Sequence, residues 1–253
     1  MAASAIRSNC VTFSQSNAHR SRPALVVGAG PGLGRALARR FGKAGMHVAV
    51  VARDGERLTN LVTELQSEGI SANAYTCDAT SDAEVRAMVR QVTRHLGVPN
   101  VAIYNVEQYG PGDVVEIETD AFLDCWRVNC LGAFLLGREV GRAMLTCGSG
   151  TIIFTGATAA MRGRQGFANL AVGKWGQRAL AQCMARELGP KGIHVAHVVI
   201  DGGILKSTAI AFMRERMLAL YPDQIAETYY ALHCQHPSAW TQEVDLRPWL
   251  ENF

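Results

Sequence analysis

The stretch that most constrains this chain is a short apolar run, Ala24-Leu25-Val26-Val27, that passes straight into a glycine-rich turn, Gly28-Ala29-Gly30-Pro31-Gly32-Leu33-Gly34. The apolar run reads as a buried strand, and the segment from about Leu33 to Gly45 reads as the helix that follows it. A strand, a glycine turn and a helix in that order build a cradle for phosphate. Glycine lets the backbone turn tightly and approach a pyrophosphate, and the helix N-terminus supplies free N–H groups and the positive end of its dipole. The spacing of Gly28, Gly32 and Gly34 is Gly-x-x-x-Gly-x-Gly, which differs from the more widespread Gly-x-Gly-x-x-Gly fingerprint.

The alternation continues along the chain. Strands are expected at Met46–Ala52, Ala72–Cys77, Val101–Val106, Gly150–Thr155 and Ile193–Ile200, and helices at Asp54–Gly69, Ser81–His95, Thr119–Leu145 and Phe167–Leu188. Ser81-Asp82-Ala83-Glu84 has the form of a reciprocal capping box. Apolar strands alternating with amphipathic helices imply an α/β fold, a doubly wound Rossmann-type parallel sheet with helices on both faces. With 253 residues, 48% of them apolar, the chain suits one domain, expected over residues 23–253. Within it, residues 204–235 read as mostly helical and lie after the last strand–helix unit, where they are expected to form a lid over a ligand at the strand carboxyl ends. That segment carries Ile210, Phe212, Met213, Met217 and Leu218.

Charge and cysteine content narrow the class. Net charge is +3, and no Asp or Glu precedes Asp54, whereas eight Lys or Arg residues do. The first 22 residues are Ser-rich and include Arg7, Arg20 and Arg22, the composition of a transit-like extension or of a disordered tail. The expected location is a soluble intracellular one, in an organelle matrix or the cytoplasm. Basic residues are too dispersed for a nucleic-acid surface, and no apolar run reaches the ~20 residues of a membrane span. Seven scattered cysteines with no Cys-x-x-Cys pair suggest neither a disulfide framework nor a metal site.

Ala52 and Arg53 close the second strand. An acidic side chain there would hold the adenosine ribose 2′-hydroxyl and repel a 2′-phosphate. Arginine instead offers paired, charged hydrogen bonds to phosphate, so NADP(H) is expected over NAD(H).

Taken together, the glycine turn and the segment Gly166-Phe167-Ala168-Asn169-Leu170-Ala171-Val172-Gly173-Lys174 resemble the short-chain dehydrogenase/reductase family over nearly all of Ala24–Ile204. The resemblance implies hydride transfer between a nicotinamide and a carbonyl or alcohol, carried by Asn, Ser, Tyr and Lys. Asn129 matches the asparagine and Lys174 the lysine. Ala157 stands at the serine position and Leu170 at the tyrosine position. The family's Asn-Asn-Ala-Gly reads Tyr104-Asn105-Val106-Glu107, and its Pro-Gly reads Asp201-Gly202. The resemblance also implies Gly28, Gly32, Leu33, Gly34, Arg53, Asp78, Asn105, Lys174, Gly202 and Ile204 as cofactor-binding positions, Asp78 at adenine. It further implies a homodimer or homotetramer, with Phe134, Leu135, Trp175 and Leu180 as apolar positions beyond one core stripe.

Two functions follow. The first is an NADP(H)-binding protein of an oxidoreductase lineage whose ordinary hydride transfer is lost or strongly weakened, in an accessory, sensing or structural role, on its own or as a subunit of a larger assembly. The second is an active NADP(H)-dependent oxidoreductase of a small apolar carbonyl or alcohol with rearranged acid–base groups. Tyr104, Tyr229, Tyr230, His233, His236 and Glu107 are the candidates for that exchange, with Thr155 and Thr158 as substitutes for the serine.

Overall fold

The computed structural model describes residues 22–205 and 219–250. Its elements in chain order are β1 (Ala24–Val27), α1 (Leu33–Lys43), β2 (Val48–Ala52), α2 (Gly55–Ser67), β3 (Ala72–Thr76), α3 (Asp82–Leu96) and β4 (Val101–Tyr104). They continue with α4 (Thr119–Trp126), α5 (Gly132–Leu145), β5 (Gly150–Thr155), α6 (Ala168–Leu188) and β6 (Ile193–Ile200). The short strands β7 (Gly203–Ile204) and β8 (Ala219–Leu220), helix α7 (Pro222–His233) and strand β9 (Glu243–Leu246) complete the chain.

Seven parallel strands form one sheet in the order β3-β2-β1-β4-β5-β6-β9. The chain starts at the centre, winds out one way through β2 and β3, then returns to β4 and winds out the other way. This is the expected doubly wound sheet, with its switch point between β1 and β4. Val27 pairs with both Val51 and Tyr104, so the carboxyl ends of the three central strands align along one edge.

Two apolar layers sandwich the sheet. On one face Val26, Val50, Ile103 and Val198 pack with Leu37 and Phe41 of α1 and with Ile225 and Tyr229 of α7. On the other, Leu25, Val51, Tyr104 and Phe154 pack with Met88 of α3, Leu136 and Val140 of α5, and Ala181 of α6. Burial on both faces is why β1, β2 and β4 read as continuous apolar runs.

Four local readings are corrected. The segment expected as one helix from Thr119 to Leu145 contains a π turn at Arg127–Leu131. There Asn129 Nδ2 donates to the carbonyl of Cys125 at 2.9 Å, and the Tyr104 hydroxyl donates to the carbonyl of Val128. Side chains thus take carbonyls that the α-helical ladder would use. The capping box is half formed. Ser81 Oγ accepts from the Glu84 N–H at 3.4 Å, but the Glu84 carboxylate accepts from the Asp78 N–H at 2.8 Å instead of returning to Ser81.

Arg22, assigned to the N-terminal extension, belongs to the fold. Its guanidinium donates to the carbonyls of Val98 and Pro99 and to both oxygens of Ser149, at 2.8–3.0 Å. The rest of the extension, residues 1–21, lies outside the described residues, as do 206–218 with Ile210, Phe212, Met213, Met217 and Leu218. Leu135, expected beyond the core stripe, is a core residue, whereas Phe134 and Trp175 are exposed.

Strand β9 was not expected. It is polar at alternate positions and lies at the sheet edge against β6. Its Glu243 receives a two-pronged hydrogen bond from Arg178 of α6 and one from Nδ1 of the buried His197 of β6 at 3.0 Å.

Candidate active site

The carboxyl ends of β1, β2, β4, β5 and β6 open onto two cavities that meet at Asn105, Val106 and Glu107. The larger, about 880 Å³, lies over β1, β2 and β3 and is lined by Gly28, Gly30, Arg53, Asp78 and the two further arginines Arg35 and Arg57. The smaller, about 710 Å³, lies over β5 and β6 and is lined by Leu33, Ala157, Leu170, Lys174, Gly202 and Ile204, among others.

The glycine turn has the geometry its sequence requires. Gly28 has φ +91°, and a Cβ there would collide with the carbonyl of Asn105, so neither the conformation nor the space admits a side chain. A Cβ on Gly34 would run into the carbonyl of Gly28, which fixes how closely α1 sits on the turn. Asn105 locks the turn from the other side, its Nδ2 donating to the Gly28 carbonyl at 3.1 Å. Helix α1 begins at Gly32 with no side-chain cap and no acidic residue in its first turn. Uncapped N–H groups and an unopposed dipole suit an anion. Gly32, the N-cap residue, has open space where a Cβ would stand, whereas Gly34 is buried against the turn.

Arg53 is exposed at the mouth of the larger cavity and makes no ion pair among the described residues. Its neighbours are engaged: Arg35 with Glu64 at 3.1 Å and Arg57 with Asp54 at 3.0 Å. Asp78 lines the same cavity while accepting from both the N–H and the hydroxyl of Thr80. The Thr80 N–H first, then its hydroxyl and the charge of Arg53, outweigh burial and hold the Asp78 carboxyl below its ordinary value.

On the other side, Lys174 of α6 is fully buried. Its Nζ donates to the carbonyl of Thr155 at 2.9 Å and lies 3.5 Å from the Glu107 carboxylate. Burial lowers the lysine's pKa and Glu107 pulls it back up. Leu170, one turn earlier on α6, packs with Ala159, Ala171 and Phe167 on the cavity wall, and Ala157 follows β5 beside it. Asn129 lies beneath the site rather than in it. Its Nδ2 is shared between the carbonyls of Gln108 and Cys125, and its buried Oδ1 has no partner among the described residues.

Asp201, at the end of β6, is also buried. It accepts from the Thr158 hydroxyl and faces Arg162 at 3.8 Å and Arg247 at 3.6 Å. Sequence reasoning did not anticipate Arg162, Arg164, Tyr109 or Phe167 on the cavity wall, and no motif marks them.

Most substitute proton carriers are turned away from the cavity. Tyr229 is buried on the α1 face with its hydroxyl 2.8 Å from Thr155 Oγ1, and burial drives its pKa up. Tyr230 stacks beneath Arg40 and against Phe41, and His233 meets Thr151 Oγ1 at 2.9 Å. Tyr104 is sealed under the π turn, its pKa likewise raised by burial, and His236 is bonded to Ser238 at the surface. One-turn spacing on α7 does put Tyr229, Tyr230 and His233 on related faces, but these faces meet α1 and the sheet. Glu107 alone of these six candidates lines the cavity; Thr155 and Thr158 also line it.

Among the described residues no helix is long and apolar enough to cross a membrane, and no cluster of His, Cys, Asp or Glu could hold a metal ion.

Residues 22–217 match the family model for short chain dehydrogenase. A Streptomyces coelicolor protein assigned as a ketoacyl reductase is 31% identical over 219 residues, 86% of this chain and 83% of that protein. A short-chain dehydrogenase structure from Rhodopseudomonas palustris superposes with a TM-score of 0.80 at 37% identity, covering 90% of this chain and 99% of its own. A variant of the actinorhodin polyketide ketoreductase with NADPH superposes with a TM-score of 0.83 at 27% identity, covering 93% and 99% respectively.

Proposed function

The chain belongs to the short-chain dehydrogenase family, and on that footing we propose that it binds NADP(H) across the two cavities and turns over ordinary carbonyls and alcohols slowly. The observation that carries this reading is the asymmetry of the site. The adenosine side keeps the open glycine cradle, the uncapped α1 N-terminus and a free Arg53. On the nicotinamide side, the two positions matching the family's serine and tyrosine are Ala157 and Leu170, neither of which carries an exchangeable proton.

In this reading Gly28 and the start of α1 take the pyrophosphate, Arg53 the 2′-phosphate and Asp78 the adenine edge. Asn105, Leu33, Gly202 and Ile204 bound the nicotinamide portion, and the buried Lys174 ammonium holds ribose hydroxyls, for which it has N–H groups beyond the one given to Thr155. Bound NADPH would supply a hydride. The missing proton donor costs ~10²–10⁴-fold, the usual worth of positioned acid–base catalysis. Residues 23–253 then act as one domain, assembled as a homodimer or homotetramer through α5 and α6.

A second reading, an active NADP(H)-dependent ketone or alcohol oxidoreductase, draws support from the ketoacyl reductase and ketoreductase relatives. It also draws support from Glu107, Tyr109 and Lys174 on the cavity wall, which carry exchangeable protons. Fluorescence titration with NADPH, run beside turnover assays on ketones, aldehydes, quinones and β-ketoacyl thioesters, separates the two. Tight binding with turnover near background supports the first reading. Robust turnover that survives loss of Asn129 but not of Glu107 or Tyr109 supports the second, and failure to bind either nicotinamide cofactor overturns both.

A further inference from the structure

We infer that Glu107 sets which oxidation state of the nicotinamide cofactor this chain prefers, shifting it toward the oxidised form; this rests on the NADP(H) reading above. The two forms carry the same phosphates and ribose hydroxyls. They differ in the ring, which bears a positive charge when oxidised and none when reduced. A fixed charge near the ring therefore discriminates between them, while contacts to the rest of the cofactor cancel in the comparison.

The fixed charges of the smaller cavity can be named. Among the described residues, Lys174, Arg162 and Arg164 are its cations and Glu107 and Asp201 its carboxylates. Asp201 is tied to Thr158, Arg162 and Arg247. The deepest cation is Lys174, fully buried, and alone it would disfavour a positively charged ring. Glu107 stands 3.5 Å from its Nζ and cancels it. Glu107 also lines both cavities, so it lies at the junction that a dinucleotide reaching from one to the other must cross. Its side chain is 49% exposed, and a ligand laid over it would displace water and strengthen its field. The family pattern has glycine at this position, so the carboxylate is an addition to the site.

If the nicotinamide ring lay outside the field of the Lys174–Glu107 pair, and Glu107 served only to hold the Lys174 side chain in place, its loss would weaken or strengthen both cofactor forms alike. The ratio of affinities separates these cases. The test measures Kd for NADP⁺ by calorimetry and for NADPH by fluorescence enhancement, in the native chain, Glu107→Gln and Glu107→Asp, with thermal melting to confirm folding. In Glu107→Gln the ratio Kd(NADP⁺)/Kd(NADPH) is expected to rise about three- to tenfold, and raised salt is expected to shrink the effect. Glu107→Asp, which keeps the charge, is expected to stay near the native ratio. A ratio unchanged within twofold in Glu107→Gln, with both forms still bound, overturns the inference and leaves the NADP(H) reading standing. A native chain that binds neither form overturns both.

Discussion

Replacing Arg53 with Ala is expected to weaken NADP(H) binding about 5- to 30-fold while leaving NAD(H) binding within twofold. A charge-assisted hydrogen bond is worth ~1.5–3 kcal/mol, and an exposed setting such as that of Arg53 reduces it to ~1–2 kcal/mol, which is that range of affinity. The neighbouring arginines cannot easily substitute, because Arg35 is held by Glu64 and Arg57 by Asp54. Asp54 itself is committed to capping α2, accepting from the Arg57 N–H at 3.1 Å, so it does not neutralise Arg53. Arg53→Asp goes further. It removes the cation and adds a carboxylate that accepts from a 2′-hydroxyl but repels a 2′-phosphate, so the preference is expected to reverse toward NAD(H). Titrations with all four nicotinamide cofactors at about 0.05 M and 0.5 M salt read both effects, since the Debye length that screens a surface contact of this kind falls from ~14 Å to ~4 Å between them. The reasoning fails if the native chain binds NAD(H) as tightly as NADP(H), or if Arg53→Ala weakens the two cofactors equally.

The double substitution Leu170→Tyr with Ala157→Ser is expected to raise turnover of a test ketone by more than the product of the single effects, because groups that act as a unit are non-additive; a double variant no better than the best single one refutes it. Tyr229→Phe breaks the 2.8 Å contact with Thr155 and is expected to cost ~1 kcal/mol, or ~2–4 °C in Tm. It should leave NADPH binding and any turnover intact, and a loss of turnover without a loss of stability would return Tyr229 to the chemistry. Stability is expected to fall on acidification in two stages. Burial lowers the pKa of His197, so the folded chain binds fewer protons than the unfolded one, and stability drops as pH falls through the ordinary histidine range. Burial opposes ionisation of Glu243, but hydrogen bonds from Arg178 and His197 outweigh it and hold the carboxyl below its ordinary value, so its contribution is lost at still lower pH. Denaturant midpoints from pH 8 to pH 3 should show both stages, with the second reduced in Glu243→Gln. Phe134, Val172 and Trp175 are exposed on α5 and α6, so light scattering at micromolar concentration should give a dimer or tetramer that Trp175→Glu weakens; a monomeric native chain refutes that assembly.

What the sequence disclosed and what it hid divide along a physical line. Strands β5 and β6 were legible to the residue because burial on both faces writes a mostly apolar run between glycines and polar turns, interrupted by Thr151 in β5 and by His194 and His197 in β6. The glycine cradle was legible because its requirement is on the backbone, and only glycine meets it. Strand β9 was not, because Glu243-Val244-Asp245-Leu246 becomes a strand through β6 and through the ion pair with Arg178, neither of which is local. The layer that the candidate acids on α7 meet was hidden for a related reason. Spacing tells which residues share a helix face but not which layer that face meets, and here it meets α1 and the sheet.

The two departures on the nicotinamide side belong to the same class of hidden feature, and they change what the site is. Glu107 and Asp201 look in sequence like isolated losses of a glycine and a proline. In the fold both bring a carboxylate to one cavity, and each meets cations: Glu107 the buried Lys174, and Asp201 the pair Arg162 and Arg247. A site that had merely decayed would have no reason to place carboxylate and counter-ion together from distant parts of the chain. Burying Asp201 without Thr158, Arg162 and Arg247 would be costly, as would burying Lys174 without Glu107 and the Thr155 carbonyl, so each departure is sustained by partners that must be kept with it. Set against the family pattern it resembles, the chain exchanges a glycine and a proline on this wall for two charge-compensated carboxylates. Such a wall acts on a bound nicotinamide chiefly through its field, which is why the ratio of oxidised to reduced cofactor affinity is the measurement most sensitive to the exchange.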